Sequence, residues 1–254
     1  MARLSAILVA GLGVSAGFGL LGATGRLSPD TAMTGGGAVL LALLAVLGLG
    51  SARPGWQLYG PAIVRGDGDR PEVALTFDDG PDPASTRALL DALDAAGARA
   101  TFFVLADRVE AHPGLAKAIA EAHEVGLHGA SHHPWLTLRR PERGARELRD
   151  AAERVARVTG SRPTAFRPPF GVTSPRLAEA ARRAGLQVVW CSVRTGDGVA
   201  LPPETLRARC RAASAGDIVL LHEGPRAART ALPDILADLA GRGLRPVGLS
   251  ELLS

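Results

Sequence analysis

From Leu4 to Gly25 the chain runs for 22 residues without a charge, and from Thr31 to Ala52 it does so for another 22. No other feature constrains the fold as strongly. A segment crossing a bilayer must satisfy its own backbone polar groups, and about 20 apolar residues in a helix span the hydrocarbon core. Both stretches meet that length. Arg26, Pro29 and Asp30 lie in the short loop between them. Residues 1–53 therefore read as a membrane hairpin, with helices over about 4–25 and 31–52. Gly13 and Gly17 give one small-xxx-small spacing for close helix packing. A signal peptide is the competing reading of the first segment, but only Arg3 precedes it and no small-x-small cleavage pattern stands before the loop. A two-span hairpin returns the chain to its starting side. Arg3, Arg53 and Arg65 fall on that side against Arg26 in the loop, a bias that leans towards a cytoplasmic soluble part.

Residues 54–71 are rich in Pro and Gly and read as a linker to a domain over 72–254. Strands are expected at Val73–Phe77, Ala100–Leu105, Ala165–Arg167, Leu186–Ser192, Ile218–Leu221 and Leu244–Val247, with a short one at Glu124–Leu127. Between them apolar residues recur at helical spacing, as in Leu177, Ala180, Ala181 and Ala184. Ser174-Pro175 supplies an N-cap and first helical position there, and Gly185 the stop. Strands alternating with helices imply a mostly parallel sheet with right-handed crossovers. Six or seven such units suit an open doubly wound sheet or a small barrel, and periodicity leaves both open.

The formal net charge is +4, and with Lys117 the single lysine, 28 of the 29 basic residues are arginine. They are scattered, with no run longer than Arg139-Arg140 or Arg182-Arg183, and few aromatics accompany them, so nucleic acid is not an expected partner. Cys191 and Cys210 form neither a CxxC motif nor a disulfide framework and read as buried thiols.

The unusual polar residues collect where strands end. Asp78 and Asp79 follow the first, in TFDDGPDP. His128 and His132 follow the short Glu124–Leu127 run, in HGASHHP. Arg167 closes the next strand in FRPPFG, Asp197 lies beyond VVWCS, and His222 ends IVLLH. Singly, each has a bland reading: a turn, an accidental His pair, a solvated arginine, a core histidine. Together they fall on the edge where parallel α/β folds bind ligands. Adjacent carboxylates repel unless something cationic takes one up. Two histidines and one carboxylate make a facial triad with open positions, suited to zinc, cobalt or another borderline divalent ion. One aspartate then serves as ligand, and the other stays ionised beside the metal if a cation such as Arg167 pairs with it.

TFDDG, the H-x-x-S-H of HGASH, RPPFG, the later Asp and the closing LLH resemble the five ordered motifs of the polysaccharide deacetylase family, also called the NodB-homology or carbohydrate esterase 4 family. The resemblance runs from Val73 to about Val247 and leaves the apolar segments outside it. It implies a distorted (β/α)7 barrel, here preceded by two transmembrane helices. It implies Asp78 as general base, Arg167 as the residue orienting it, His222 as general acid and Asp197 as the carboxylate tuning His222. Asp79, His128 and His132 would hold one divalent metal ion, zinc first, with cobalt or nickel as alternatives. The backbone N–H of Phe170 would meet the oxyanion, and His133 is a bystander. The implied reaction is hydrolysis of an N-acyl group on an amino sugar.

This sequence departs from the pattern in places. Arg194 stands where an earlier Asp is common, Gly198 replaces a Trp that walls the acyl pocket, Gly129 replaces Ser or Thr, and Phe170 a frequent Tyr. The expected substrate is a cell-envelope glycan such as peptidoglycan, with a lipid-linked aminosugar second and an inactive carbohydrate-binding module third. The expected partners are that carbohydrate and the lipid bilayer. The expected location is the cell membrane, with the catalytic domain at the outer face.

Overall fold

Side-chain alternation along one central strand organises the soluble part. The computed structural model describes residues 2–224 and 226–254. In β1 (Glu72–Gly80), Val73, Leu75 and Phe77 join the large apolar cluster shared with the helices. Ala74 points the other way, into a second cluster with Phe103, Trp190, Ile218 and Leu220. Period two is the geometry of a pleated strand, and a strand packed on both faces reads as a continuous apolar run.

The remaining strands are β2 (Thr101–Val104), β3 (Glu124–Leu127), β4 (Ala165–Phe166), β5 (Gln187–Val188), β6 (Val193–Arg194), β7 (Ile218–His222) and β8 (Arg245–Val247). They pair in parallel in the order β5-β4-β3-β2-β1-β7-β6, with β8 added beside the start of β1. Helices α1 (Ala2–Ala23) and α2 (Pro29–Ala52) precede the sheet. Then follow α3 (Thr86–Ala95), α4 (Ala106–Ala111), α5 (Pro113–Ala122), α6 (Pro141–Thr159), α7 (Pro175–Ala184), α8 (Pro203–Cys210), α9 (Arg226–Gly241) and α10 (Leu249–Leu252). The α7 boundaries match the sequence reading: Leu177 N–H donates to the Ser174 hydroxyl across 3.1 Å, and Gly185 stops the helix at φ 74°.

Two strand expectations change. β1 does not stop at Phe77 but runs through Gly80, because its parallel partners β2 and β7 continue to Val104 and His222. Asp78 and Asp79 are therefore strand residues. The single strand expected over Leu186–Ser192 is instead the short β5, with β6 a separate strand after it. Ile63 intervenes: it bridges Val189, and its carbonyl accepts from Trp190 N–H across 2.7 Å. The stretch expected to be a linker thus lies against the sheet, and Arg65 adds a bridge to Asp217.

Helices α1 and α2 pack on each other as a hairpin, and both are long and apolar enough to cross a membrane. The close contacts are made by Gly11 against Leu43, Gly22 against Ala32, Gly35 against Phe18 and Gly36 against Ser15. Gly13 and Gly17 face open space, so their spacing was not the packing signal.

Candidate active site

Asp78 and Asp79 would face opposite sides of a regular strand, but Asp79 has φ 70° and the pairing with β2 shifts register between Asp78 and Gly80. That left-handed residue breaks the alternation at a bulge. Both carboxylates then engage partners at the carboxyl end of the sheet.

Asp78 is buried and meets Arg167, whose Nη1 donates to Oδ1 across 2.8 Å. Arg167 is fully buried and stands at the end of β4. Its Nη1 also lies 2.7 Å from the Thr76 hydroxyl oxygen, Nη2 donates to the Trp190 carbonyl across 3.0 Å, and the guanidinium stacks 4.1 Å above the Phe103 ring. Thr76 turns its own proton to the Val219 carbonyl. A buried guanidinium is tolerable because a carboxylate, two oxygens and an aromatic face surround it.

Asp79 Oδ1 lies 3.5 Å from His128 Nε2 and 3.5 Å from His132 Nε2. One ligand atom from each residue falls within 4.8 Å of the others. His128 Nδ1–H donates to the Arg167 carbonyl across 2.8 Å, which leaves the Nε2 lone pair free for a cation. Burial pushes the His128 imidazole below its ordinary pKa, against the pull of the two aspartates, and so favours the neutral, ligating form. Asp79 Oδ1 is buried and has no hydrogen-bond partner among the described residues. An orphaned carboxylate oxygen facing two imidazole nitrogens fits a divalent ion. His133 stays outside the cluster, and its Nδ1 accepts from Trp135 N–H.

His222 is the register partner of Asp78 on β7. Its Nδ1–H donates to Asp197 Oδ1 across 2.8 Å, and its backbone N–H to Oδ2 across 3.0 Å. Asp197 is fully buried, and Thr195 Oγ1 lies 2.8 Å from its Oδ1. Burial alone would lower the His222 pKa. The Asp197 hydrogen bond and the charges of Asp78, Asp197 and Asp79 outweigh it and hold the imidazole above its ordinary value. Phe170, at φ 59°, sets its ring 4.0 Å from that of His132. Gly198 leaves one side of His222 uncovered, since a Cβ there would lie 3.3 Å from ring atoms.

The eight residues singled out in the sequence thus converge on one edge. Four others were missed. Thr76 shares the inward face of β1 with Asp78, a parity that would have found it. Arg108 Nη1 donates to the Asp79 carbonyl across 2.7 Å, and nothing in its helical context signals that. Thr195 is set beside Asp197 by a loop. Glu223, with its carboxyl pushed up to about 7 by burial, accepts from the Thr86 hydroxyl beneath the turn at Gly80. Cys191 and Cys210 are buried, and burial raises their thiols to about 11 and about 12.

The sequence profile of the family described as Polysaccharide deacetylase matches residues 65–189. A peptidoglycan-N-acetylglucosamine deacetylase of Bacillus cereus is 35% identical over 188 residues, covering 71% of this chain and 87% of that one. The chain belongs to the polysaccharide deacetylase family. Within that family, a chitooligosaccharide deacetylase of Rhizobium leguminosarum bv. trifolii is 34% identical, covering 74% of this chain and 85% of that one. The peptidoglycan-N-acetylmuramic acid deacetylase PdaC of Bacillus subtilis is 33% identical over 188 residues, and the chain spans 39% of its length. The crystal structure of the Bc1960 peptidoglycan N-acetylglucosamine deacetylase aligns with TM-score 0.71 at 31% identity, over 76% of this chain and 92% of that one. The curled parallel sheet is thus the family's (β/α)7 barrel. A pseudoenzyme of the family, BA3943 of Bacillus anthracis, aligns with TM-score 0.71 at 25% identity.

Proposed function

We propose that the protein is a membrane-anchored, metal-dependent hydrolase that removes N-acetyl groups from amino sugars of a cell-envelope glycan, with peptidoglycan first. The observation that carries the reading is the pair Asp79 Oδ1, with no hydrogen-bond partner, and His128 Nε2, left free by the Nδ1 bond, flanked by Asp78–Arg167 on one side and His222–Asp197 on the other. Relatives named for peptidoglycan and chitooligosaccharide deacetylation support the substrate class.

A divalent ion on Asp79, His128 and His132, zinc before cobalt or nickel, would supply Lewis-acid polarisation and a lowered water pKa. Asp78 takes the proton of the attacking water, with Oδ1 fixed by Arg167 and Oδ2 left for that proton. The Phe170 backbone N–H meets the charge developing on the acyl oxygen. His222 gives its Nε2 proton to the departing amine while Asp197 holds Nδ1. Proton transfers of this kind contribute about 10²–10⁴ in rate each. The complete acid and base set speaks against a module that only binds carbohydrate.

Residues 1–53 serve as the anchor and 72–254 as the catalytic domain. Val9, Leu12, Leu20, Leu41 and Leu44 point outward from the hairpin, an apolar surface that lipid would cover. Polymeric wall glycan lies outside the membrane, so this reading puts the domain at the outer face, and a compartment-sensitive reporter fused to Ser254 tests that. The function is tested with full-length protein in detergent micelles, zinc and peptidoglycan fragments. Acetate release that is lost with chelator and in Asp78→Asn is expected. Metal binding without acetate release from any N-acetylated glycan would sink the reading.

A further inference from the structure

The hairpin does not hang from the catalytic domain by a loose tether. The Ser51 carbonyl, in the last turn of α2, accepts from Thr173 N–H across 2.9 Å, three residues past Phe170. Leu4 packs with Leu58 and Tyr59, and Ala178 of α7 joins them. Helix α7 follows β4, so its first turns lie at the carboxyl edge of the sheet, where the catalytic groups stand. The end of the hairpin is therefore seated on the catalytic rim itself.

A second observation falls on the same side. Outside the hairpin, the exposed large apolar side chains among the described residues are Trp56, Trp135, Leu138, Phe170, Val199 and Leu253. Trp135 and Leu138 are 56% and 57% exposed and belong to the single-turn segment Pro134–Leu138, which begins two residues after His132. That segment is tied to the hairpin side of the rim. Ser174 Oγ donates to the Thr137 carbonyl across 2.6 Å, and Arg176 Nη1 to the Leu138 carbonyl across 3.0 Å. Arg139, paired with Glu147, and Arg140 follow at once; Arg140 and Arg176 are exposed and form no ion pair within 4.0 Å among the described residues, with the Glu142 carboxylate the nearest acid acting on Arg140. Trp56, 44% exposed, stands beside Arg3, Ala6 and Val46 at the end of the hairpin. Exposed Trp and Leu flanked by arginines are the composition of a surface lying in a bilayer interface with anionic headgroups.

We propose that the Trp135–Arg140 segment, with Trp56 and Arg176, is a second membrane contact that sets the catalytic mouth against an anionic bilayer. The contact rests on the reading of the hairpin as a membrane anchor given above. Continuity with the hairpin selects lipid as the occupant: Ser51 at the end of α2 holds Thr173, and the next residue, Ser174, holds the segment through the Thr137 carbonyl, which places the segment close to the headgroups.

The test uses the full-length protein in vesicles of phosphatidylcholine and phosphatidylglycerol, with and without brominated acyl chains. Brominated lipid is expected to quench a tryptophan component that disappears in Trp135→Phe and shrinks when phosphatidylglycerol is omitted. An unquenched Trp135 overturns the membrane contact whether or not the protein is active. The second arm compares turnover of N-acetylglucosamine carried on a lipid diphosphate with that of a soluble chitooligosaccharide. In Leu138→Ser combined with Arg140→Glu, the ratio of lipid-carried to soluble turnover should fall at least ~10-fold, since each basic residue near an anionic surface contributes measurably to binding. Equal losses on both substrates would assign the segment to sugar binding and overturn the proposal. No turnover of either substrate by the unmodified protein would defeat the hydrolase reading, while the quenching result still decides the contact.

Discussion

Arg167 Nη1 and Asp78 Oδ1 meet across 2.8 Å with the arginine side chain fully buried and the aspartate side chain only 4% exposed. A pair so placed is costly to break from one side, because the remaining charge stays buried. Arg167→Met should therefore lower unfolding free energy by about 3–5 kcal/mol, read from denaturant melts. Arg167→Lys should also destabilise, since one ammonium cannot replace a fork that serves Asp78, Thr76 and the Trp190 carbonyl. Asp78→Asn keeps an acceptor for the fork, so it should cost less stability while turnover falls ~10²–10⁴-fold. Arg167→Met as stable as the unmodified protein would show that the pair is not structurally coupled.

In the proposed mechanism His222 and Asp197 set the pH dependence. The His222 imidazole is held above its ordinary value of 6.5 once burial is outweighed by Asp197 and the nearby aspartates. A raised folded pKa adds stability that is full below the unfolded value and is lost as pH rises through the folded value. The activity profile should likewise carry an alkaline limb above 6.5. Asp197→Asn removes the hydrogen-bonded charge, so that limb should move to lower pH and kcat should fall. A limb that stays in place after Asp197→Asn would mean that another group carries the proton.

The metal prediction is one of stoichiometry. Calorimetric titration with zinc should find about one equivalent per chain. Asp79→Asn and His128→Ala should each abolish tight uptake, because they remove the orphaned oxygen and the freed Nε2. A ligand that binds only the folded state stabilises it by mass action, so stripping with chelator should lower Tm and re-addition should restore it. Full zinc uptake by Asp79→Asn would place the ion elsewhere.

Much of this site was legible in the sequence because its chemistry sits in side chains at motif spacing: the adjacent aspartates, the H-x-x-x-H pair, and the arginine and histidine closing their strands. The less legible parts depend on backbone conformation or tertiary contact. Asp79 reaches the histidines through a left-handed backbone at a bulge, and Ile63 splits the run after Leu186 by docking from a segment that composition marks as a linker. The hairpin showed the same limit. Apolar length announced the two helices, but which glycines face the partner depends on helix rotation, and Gly13 and Gly17 point away.

Gly198 controls how open one side of His222 is, and the proposed mechanism puts the acyl group there. A Cβ there would sit 3.3 Å from the imidazole, close enough to make neighbours shift by a few tenths of an ångström. Gly198→Ala should therefore be tolerated. Gly198→Trp should narrow the space beside His222 and raise the preference for N-acetyl over N-propionyl substrates in kcat/KM. One extra methylene is worth about 1–3 kcal/mol in a closed pocket, so the ratio should shift by ~10-fold or more. An unchanged ratio would put the acyl group on another side of the site.

Hairpin packing makes the last prediction. Gly35 of α2 lies against Phe18 of α1 and Gly36 against Ser15, whereas Gly13 has nothing nearby. An added Cβ at Gly35 would run into the Phe18 ring, a contact that a rigid aromatic side chain can relieve only by moving the helices apart. Close approach at small residues is what holds helix pairs together in lipid, where no hydrophobic force drives association. Gly35→Leu should thus cost about 1–3 kcal/mol of hairpin stability, the usual penalty of overpacking, measured as a lowered Tm of the full-length protein in detergent. Gly13→Leu adds a side chain where nothing lies within 4 Å and should leave Tm unchanged. Equal effects at the two positions would mean that α1 and α2 do not pack through this face.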